Sequence, residues 1–353
     1  MDEVLSVEEK SNEAFYKKYK IHLSVAAAIV VVGVSALAHY KNEKVKEELL
    51  NAISGYQEGL LLSGGELKHG AVGCSGIITT DCEIEGIDLS IMGQKQLSIR
   101  SLRLGNVEEL SKLKAFSEGK RTEASFDIEA DEVALPKPIL AQMIAQNVSN
   151  AFQQNTMDKL STVNFALKGD FEGSVNTMSH LNIDHLRIDN TIMPLEFAMS
   201  AREVSSSSPD SMILDHFSLT LENRTISDVT YASVKSFTDT LQNDEKGVFL
   251  KEFNLTPSEM NDRKKASQCI NTAIAKHFEA DLPKTPGIVE KDLIRAMIQM
   301  LKGEIKEITL DGKNQKELSM IQLQNALQQS SGLSDEEARK FMNEKFKIEV
   351  ETD

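Results

Sequence analysis

Residues Ile21–Tyr40 read IHLSVAAAIVVVGVSALAHY and contain no Asp, Glu, Lys or Arg. A helix of that length covers roughly 30 Å, the thickness of a bilayer's hydrocarbon core. His22 at one end and His39–Tyr40 at the other are ring residues with polar tips, which the membrane–water interface tolerates. A segment apolar on every face is poorly suited to lie on the surface of a soluble domain. No other run in the chain approaches the roughly 18 apolar residues that a second span would need. Everything from residue 41 onward is therefore expected on one side of a membrane.

Two export readings fit this segment. Ala36-Leu37-Ala38 matches the small-x-small pattern of a cleaved signal peptide. The leading 20 residues, however, are rich in Glu, where a signal peptide has a short basic region. That favours an uncleaved signal anchor. Lys10, Lys17, Lys18 and Lys20 precede the segment, and Lys41, Lys44 and Lys46 follow it. The positive-inside rule thus tilts slightly towards a cytoplasmic N-terminus. The expected organisation is a cytoplasmic segment 1–20, a transmembrane anchor 21–40, a helical stalk 41–65 and a periplasmic domain 66–353.

The domain has ordinary globular content. Of the chain's 353 residues, 41% are apolar and 26% charged. Its formal net charge of −15, with no Lys/Arg block flanked by aromatics, argues against nucleic acid as a partner.

Residues 41–62 have helical spacing, with Val45, Leu49, Leu50, Ile53, Leu60 and Leu61 as the apolar positions, and Gly64-Gly65 marks the stop. Beyond Ala71 the period changes to two. Ile87/Leu89/Ile91, Phe126/Ile128, Val163/Phe165/Leu167, Leu195/Phe197/Met199 and Phe217/Leu219/Leu221 alternate with polar residues, as half-buried strands do. At least seven strands are expected, with a loop at Ser205–Pro209. Amphipathic helices are expected over 139–153, 264–278 and 288–301, and Ser334–Glu337 reads as a capping box opening a last helix. The fold class is α+β: twisted antiparallel sheets packed with amphipathic helices behind an N-terminal transmembrane helix. "LPKPILAQMIAQ" from Leu135 and "LPKTPGIVEKDLIRAMIQ" from Leu282 form a weak repeat, each followed by a strand ending in a turn at "KGD" or "DGK". Two related halves, about 71–210 and 211–353, or chance similarity, would account for it.

Catalytic motifs are absent from the sequence: no GxGxxG after a strand, GxxxxGK[ST], HExxH or GxSxG occurs. His180 and His185, five apart in a strand region, face opposite sides, and Asp184, His185 and Asp189 are expected as solvated positions. His277 is expected as a hydrogen-bonded core residue and Cys269 as a small buried hydrophobe. No metal, cofactor or catalytic residue is expected.

The remaining cysteines, Cys74 and Cys82 in "GCSGIITTDCEIEGIDLS", lack the further ligands of a zinc site and the CxxC spacing of a redox pair. Packed thiols and a disulfide remain. On one straight strand the two would lie roughly 26 Å apart, so a bond requires the chain to turn, with Thr79–Asp81 offering the place. An exported location permits the bond, and a staple at the entry to the sheet is expected if that turn exists.

This layout of anchor, helix, alternating strands and amphipathic helices resembles bacterial single-pass envelope proteins. One such group is AsmA-like, with β-rich lipid-handling grooves. The other is a periplasmic family that ends in a strand, an NG or DG turn and a helix, which "EITLDGKNQKELSMIQLQNAL" (Glu307–Leu327) resembles. The chain is shorter and more helical than AsmA-like proteins, and no functional residue carries over. The resemblance implies an inner-membrane, periplasm-facing protein of a Gram-negative bacterium, without enzymatic activity. Its expected partners are the membrane and a lipid or other apolar ligand; a scaffold or adaptor role in an envelope complex is the alternative.

Overall fold

The computed structural model describes residues 39–353, apart from positions 63, 111, 135–161, 175, 206, 286 and 331. Most of the expected anchor 21–40, the helix expected over 139–153 and the first copy of the weak repeat lie outside the described residues. No helix among those described is long and apolar enough to cross a membrane.

Helix α1 occupies residues 39–62, as its spacing predicts, and stops where Gly64 takes a φ of +75°. From there the described residues build one antiparallel sheet of eleven strands. β1 (Gly65–Lys68) and β2 (Val72–Ser75) lie one after the other along the same edge of β3 (Asp81–Ile91). The break between them is tight: a Cβ on Gly70 would sit 2.9 Å from the Glu85 carbonyl oxygen. The sheet then runs as a meander through β4 (Gln94–Gly105), β5 (Thr122–Ala134), β6 (Thr162–Gly173), β7 (Thr177–Asp189), β8 (Leu195–Ser205), β9 (Ile213–Glu222), β10 (Glu307–Asn314) and β11 (Phe346–Thr352). Met92 and Gly93, both at positive φ, join β3 to β4 in a two-residue turn whose twist suits a hairpin. Register shifts interrupt the β3–β4, β5–β6, β6–β7, β7–β8 and β8–β9 pairings. Such bulges strengthen local twist.

The sequence points to sheets in the plural and to strands beginning past Ala71. The structure instead has one continuous sheet that starts at Gly65. Strands β1, β2 and β4 escaped the alternation rule: β1 and β2 have only four residues each, and β4 (QKQLSIRSLRLG) mixes polar and apolar residues.

Among the described residues most helices lie late in the chain. Short helices α2 (Val107–Leu110) and α3 (Lys112–Ser117) precede β5, where Phe116 packs on Phe171 of β6 with ring centroids 4.6 Å apart. Between β9 and β10 lie α4 (Ile226–Thr240), α5 (Asn243–Lys251), α6 (Arg263–Asp281) and α7 (Ile288–Lys302); α8 (Met320–Ser330) and α9 (Asp335–Asn343) precede β11. α6 is capped by Asp262, which accepts the Lys265 N–H, and α9 by the predicted box, Ser334 with Glu337. Among the described residues three apolar clusters hold the helices. Leu250, Leu255, Met260, Ala266 and Ile270 join the helices to one another. Ala296, Met300 and Ile308 fix α7 to β10, while Leu323, Ala326, Met342 and Phe346 seat α8 and α9 near β11.

Two glycines expected at turns lie in mid-strand instead. Gly169 of β6 stands opposite Phe126 of β5, and Gly312 of β10 opposite Phe217 of β9. A Cβ on Gly169 would meet Phe126 Cζ at 2.7 Å and the Asn182 carbonyl oxygen at 2.1 Å; one on Gly312 would meet the Phe217 ring at 2.1 Å. Each glycine leaves room for the ring of its cross-strand neighbour. The "DG" of the C-terminal ending is thus strand, and the reversal comes after Asn314.

Candidate functional site

Cys74 and Cys82 are directly opposed across β2 and β3, with Cα atoms 4.1 Å apart and the sulfurs bonded. The required reversal is the loop 76–80. That loop is held from outside. Asn42 of α1 donates to the Gly76 carbonyl oxygen at 3.0 Å and accepts from Thr80 Oγ1 at 2.9 Å. Lys41 Nζ donates to the Ile78 carbonyl oxygen at 2.7 Å and pairs with Glu108 of α2 at 2.5 Å. Glu108 in turn accepts the Thr80 N–H at 3.0 Å. Thr80 is fully inaccessible and Asn42 is 8% exposed.

Burial pushes the Glu108 carboxyl upward. Lys41 and the Thr80 N–H outweigh it, and the group is held at about 2, against an ordinary 4.5. A carboxylate depressed in the folded state stabilises fully above its unfolded pKa and loses that contribution as pH falls through the folded value. Both partners are partly exposed, at 37% for Lys41 and 29% for Glu108, so solvent screening leaves about 1–2 kcal/mol. Glu108→Gln is expected to cost that much at neutral pH and to flatten the fall in stability between pH 4.5 and about 2. Urea unfolding across that window measures both effects.

An apolar concavity lies at the other end of the strands. β9, β10 and the β7–β8 connection form one wall; α4, Phe278 of α6 and the C-terminal half of α7 form the other. Its volume is about 430 Å³, inside the range of small-molecule clefts. Val229, Met300 and Ile308 are buried in its floor, and Met297 is 36% exposed at its rim. The local sequence explains why helices stand off the sheet here. Asn190 turns the chain after β7: its Oδ1 accepts the N–H groups of Ile192 and Met193, and its Nδ2 donates to the Met193 carbonyl oxygen. Arg224 reaches back to Asp189 at 2.5 Å, and its own N–H and that of Thr225 bind the Ile192 carbonyl oxygen. α4 therefore starts against this turn.

The two polar residues lining the cleft are engaged within the protein. Asn190 is used as above. Thr230 Oγ1 lies 2.8 Å from Asn271 Oδ1, and buried Asn271 donates to Ser227 Oγ at 2.6 Å. Beyond that Ser227–Thr230–Asn271 group opens a second, polar cleft of about 820 Å³. It is lined by Asp228, Arg263, Lys264, Lys302 and Glu304, and Leu301 is a wall of both. Arg263 pairs with Asp228 and Lys302 with Glu279.

The remaining sequence candidates are not drawn into either cleft. Asp189 is not simply solvated, since it holds Arg224 and Arg187. Asp184 accepts from Asn182. His180 faces Asp170 at 3.3 Å and His216 faces Asp311 at 2.8 Å. His277 is exposed, not a core residue, because it falls on the outer side of α6 beside Lys276. Cys269 is half-buried against the helical cluster. Among the described residues no group of three or more His, Cys, Asp or Glu is arranged to hold a metal. The cleft itself escaped sequence reasoning, although Met297, Leu301 and Phe278 all lie on helix faces that spacing had marked as apolar. Neither protein-family models nor curated proteins give a match to this chain.

Proposed function

We propose that the chain is a membrane-anchored, periplasmic, non-enzymatic protein that binds the apolar chain of a lipid or similar amphiphile between its sheet and helices. The observation that carries this reading is the cleft of about 430 Å³ whose wall is apolar and whose polar groups are already partnered inside the protein. Such a site offers an incoming molecule apolar contact and little directional recognition, which suits a hydrocarbon chain. The polar cleft across Leu301 suits a head group. The uncharged Ile21–Tyr40 segment supports an anchor. The bonded Cys74–Cys82 pair supports an oxidising compartment.

The chain has no tryptophan, so Phe278→Trp places a single fluorophore in the cleft wall. Titration with a long-chain fatty acid brominated along its chain is expected to give saturable quenching. Adding Met297→Glu, at the partly exposed rim, is expected to weaken binding at least about tenfold, which is about 1.4 kcal/mol. Absence of saturable quenching, together with native mass spectra of the purified protein free of any bound lipid, would sink the reading.

A further inference from the structure

The loop 76–80 inverts the usual partition of side chains. Polar Thr80 is fully inaccessible, while Ile77 and Ile78 are 66% and 88% exposed. Single exposed hydrophobes are common, but two adjacent ones at a braced tip are a feature in their own right. The loop has no freedom to fold them inward. Asn42, Lys41 and Glu108 hold its backbone and the cystine closes its base. Gly76, at a φ of +141°, admits no side chain, because a Cβ there would meet the Thr79 carbonyl oxygen at 1.9 Å. The loop sequence GIITT contributes no charge of its own.

Position says what covers those side chains. The two residues that grip the loop, Lys41 and Asn42, are the first two after the uncharged Ile21–Tyr40 segment. Tyr40 is 73% exposed beside them and belongs to the residue type enriched at membrane–water interfaces. Lys44 and Lys46 follow within a turn or two, where cations meet lipid head groups. If Ile21–Tyr40 spans the membrane, the loop tip stands at the depth where that span ends.

We infer that Ile77 and Ile78 insert into the bilayer surface next to the anchor, so that the loop is a second lipid contact of the domain. This rests on the anchor reading. With the anchor alone, α1 is free to swivel about a single point; a braced apolar tip gives the domain two contacts and fixes its tilt over the membrane.

The test uses the full chain, reconstituted into phosphatidylcholine vesicles whose acyl chains are brominated either near the head group or near the chain end. Ile78→Trp supplies the only tryptophan. Met92→Trp, 84% exposed on the β3–β4 turn at the opposite end of the strands, is the control. Expected is a blue-shifted Ile78→Trp emission, quenched more by the shallow bromines than by the deep ones, with Met92→Trp unaffected. Protein that floats with the vesicles but shows no more quenching at position 78 than at 92 overturns the loop contact and leaves the anchor standing. A blue shift without bromine quenching means that protein covers the loop, either the preceding segment or a second copy, and overturns it too. Protein that fails to float overturns the anchor reading and the loop contact with it.

Discussion

Gly312→Ala is expected to destabilise the protein by about 3 kcal/mol, at the upper end of what overpacking a folded interior costs. The added methyl would lie 2.1 Å from a carbon of the Phe217 ring. That ring cannot swing aside freely. It stacks on Phe346 at a centroid distance of 5.9 Å and packs against the cluster of Leu323, Ala326 and Met342 that seats α8 and α9. Relief would have to move either β10 or that helix pair. Urea unfolding gives the cost, and a double-mutant cycle gives its origin. Phe217→Leu removes ring atoms at the clash, so the double variant should lose at least about 1 kcal/mol less than the two single losses added together. Additive losses would mean that the clash is not with Phe217.

The same glycine shows what the sequence could and could not convey. Asp-Gly between apolar runs is a strong short-range turn signal; "LDGK" carries it, and "LKGD" has the same two residues in reverse order. The reason for the glycine is instead a phenylalanine 95 positions away in one case and 43 in the other, as the pairs Phe217–Gly312 and Phe126–Gly169 give by subtraction. Local pattern rules carry no information about cross-strand neighbours at that distance. Features decided locally came through well. α1, α6, α7, the Ser334 box of α9 and the alternating cores of β3, β5, β6, β8 and β9 follow from spacing and caps alone. Helices α4 and α5 did not. Ile226–Thr240 carries Ser, Thr and Asp through its length, and its stability comes from tertiary contacts such as Thr230 with Asn271 and Tyr231 with the Met260 carbonyl oxygen. The apolar cleft was hidden for a related reason. Each wall residue looks like ordinary core, and only the stand-off imposed by Asn190 and Arg224 leaves the space between them open.

Reduction of the Cys74–Cys82 bond is expected to lower stability by about 2.5 kcal/mol, the chain-entropy value for closing a loop of this size. Where the loss appears distinguishes a staple from a global brace. β2 has four residues, lies at the sheet edge and pairs only with β3 among the described strands. Short edge elements with few buried apolar contacts open at low free energy. Reduction should therefore expose the 72–81 region to proteolysis at denaturant concentrations where β5–β10 still resist. Cys82 is 1% exposed but Cys74 is only half-buried, so a reductant reaches the bond through the Cys74 sulfur. The bond and the Lys41–Glu108–Thr80 contacts restrain the same loop, and they should not act independently. Once the cystine is open, the loop can leave α1, and Glu108 has less to hold. The loss from Glu108→Gln should accordingly shrink in reduced protein, by about 0.5–1 kcal/mol for groups in one network. Equal losses in oxidised and reduced protein would show that the α1 contacts form without the loop being closed. In that case Asn42 and Lys41 of α1 would grip the loop whether or not the cystine is closed.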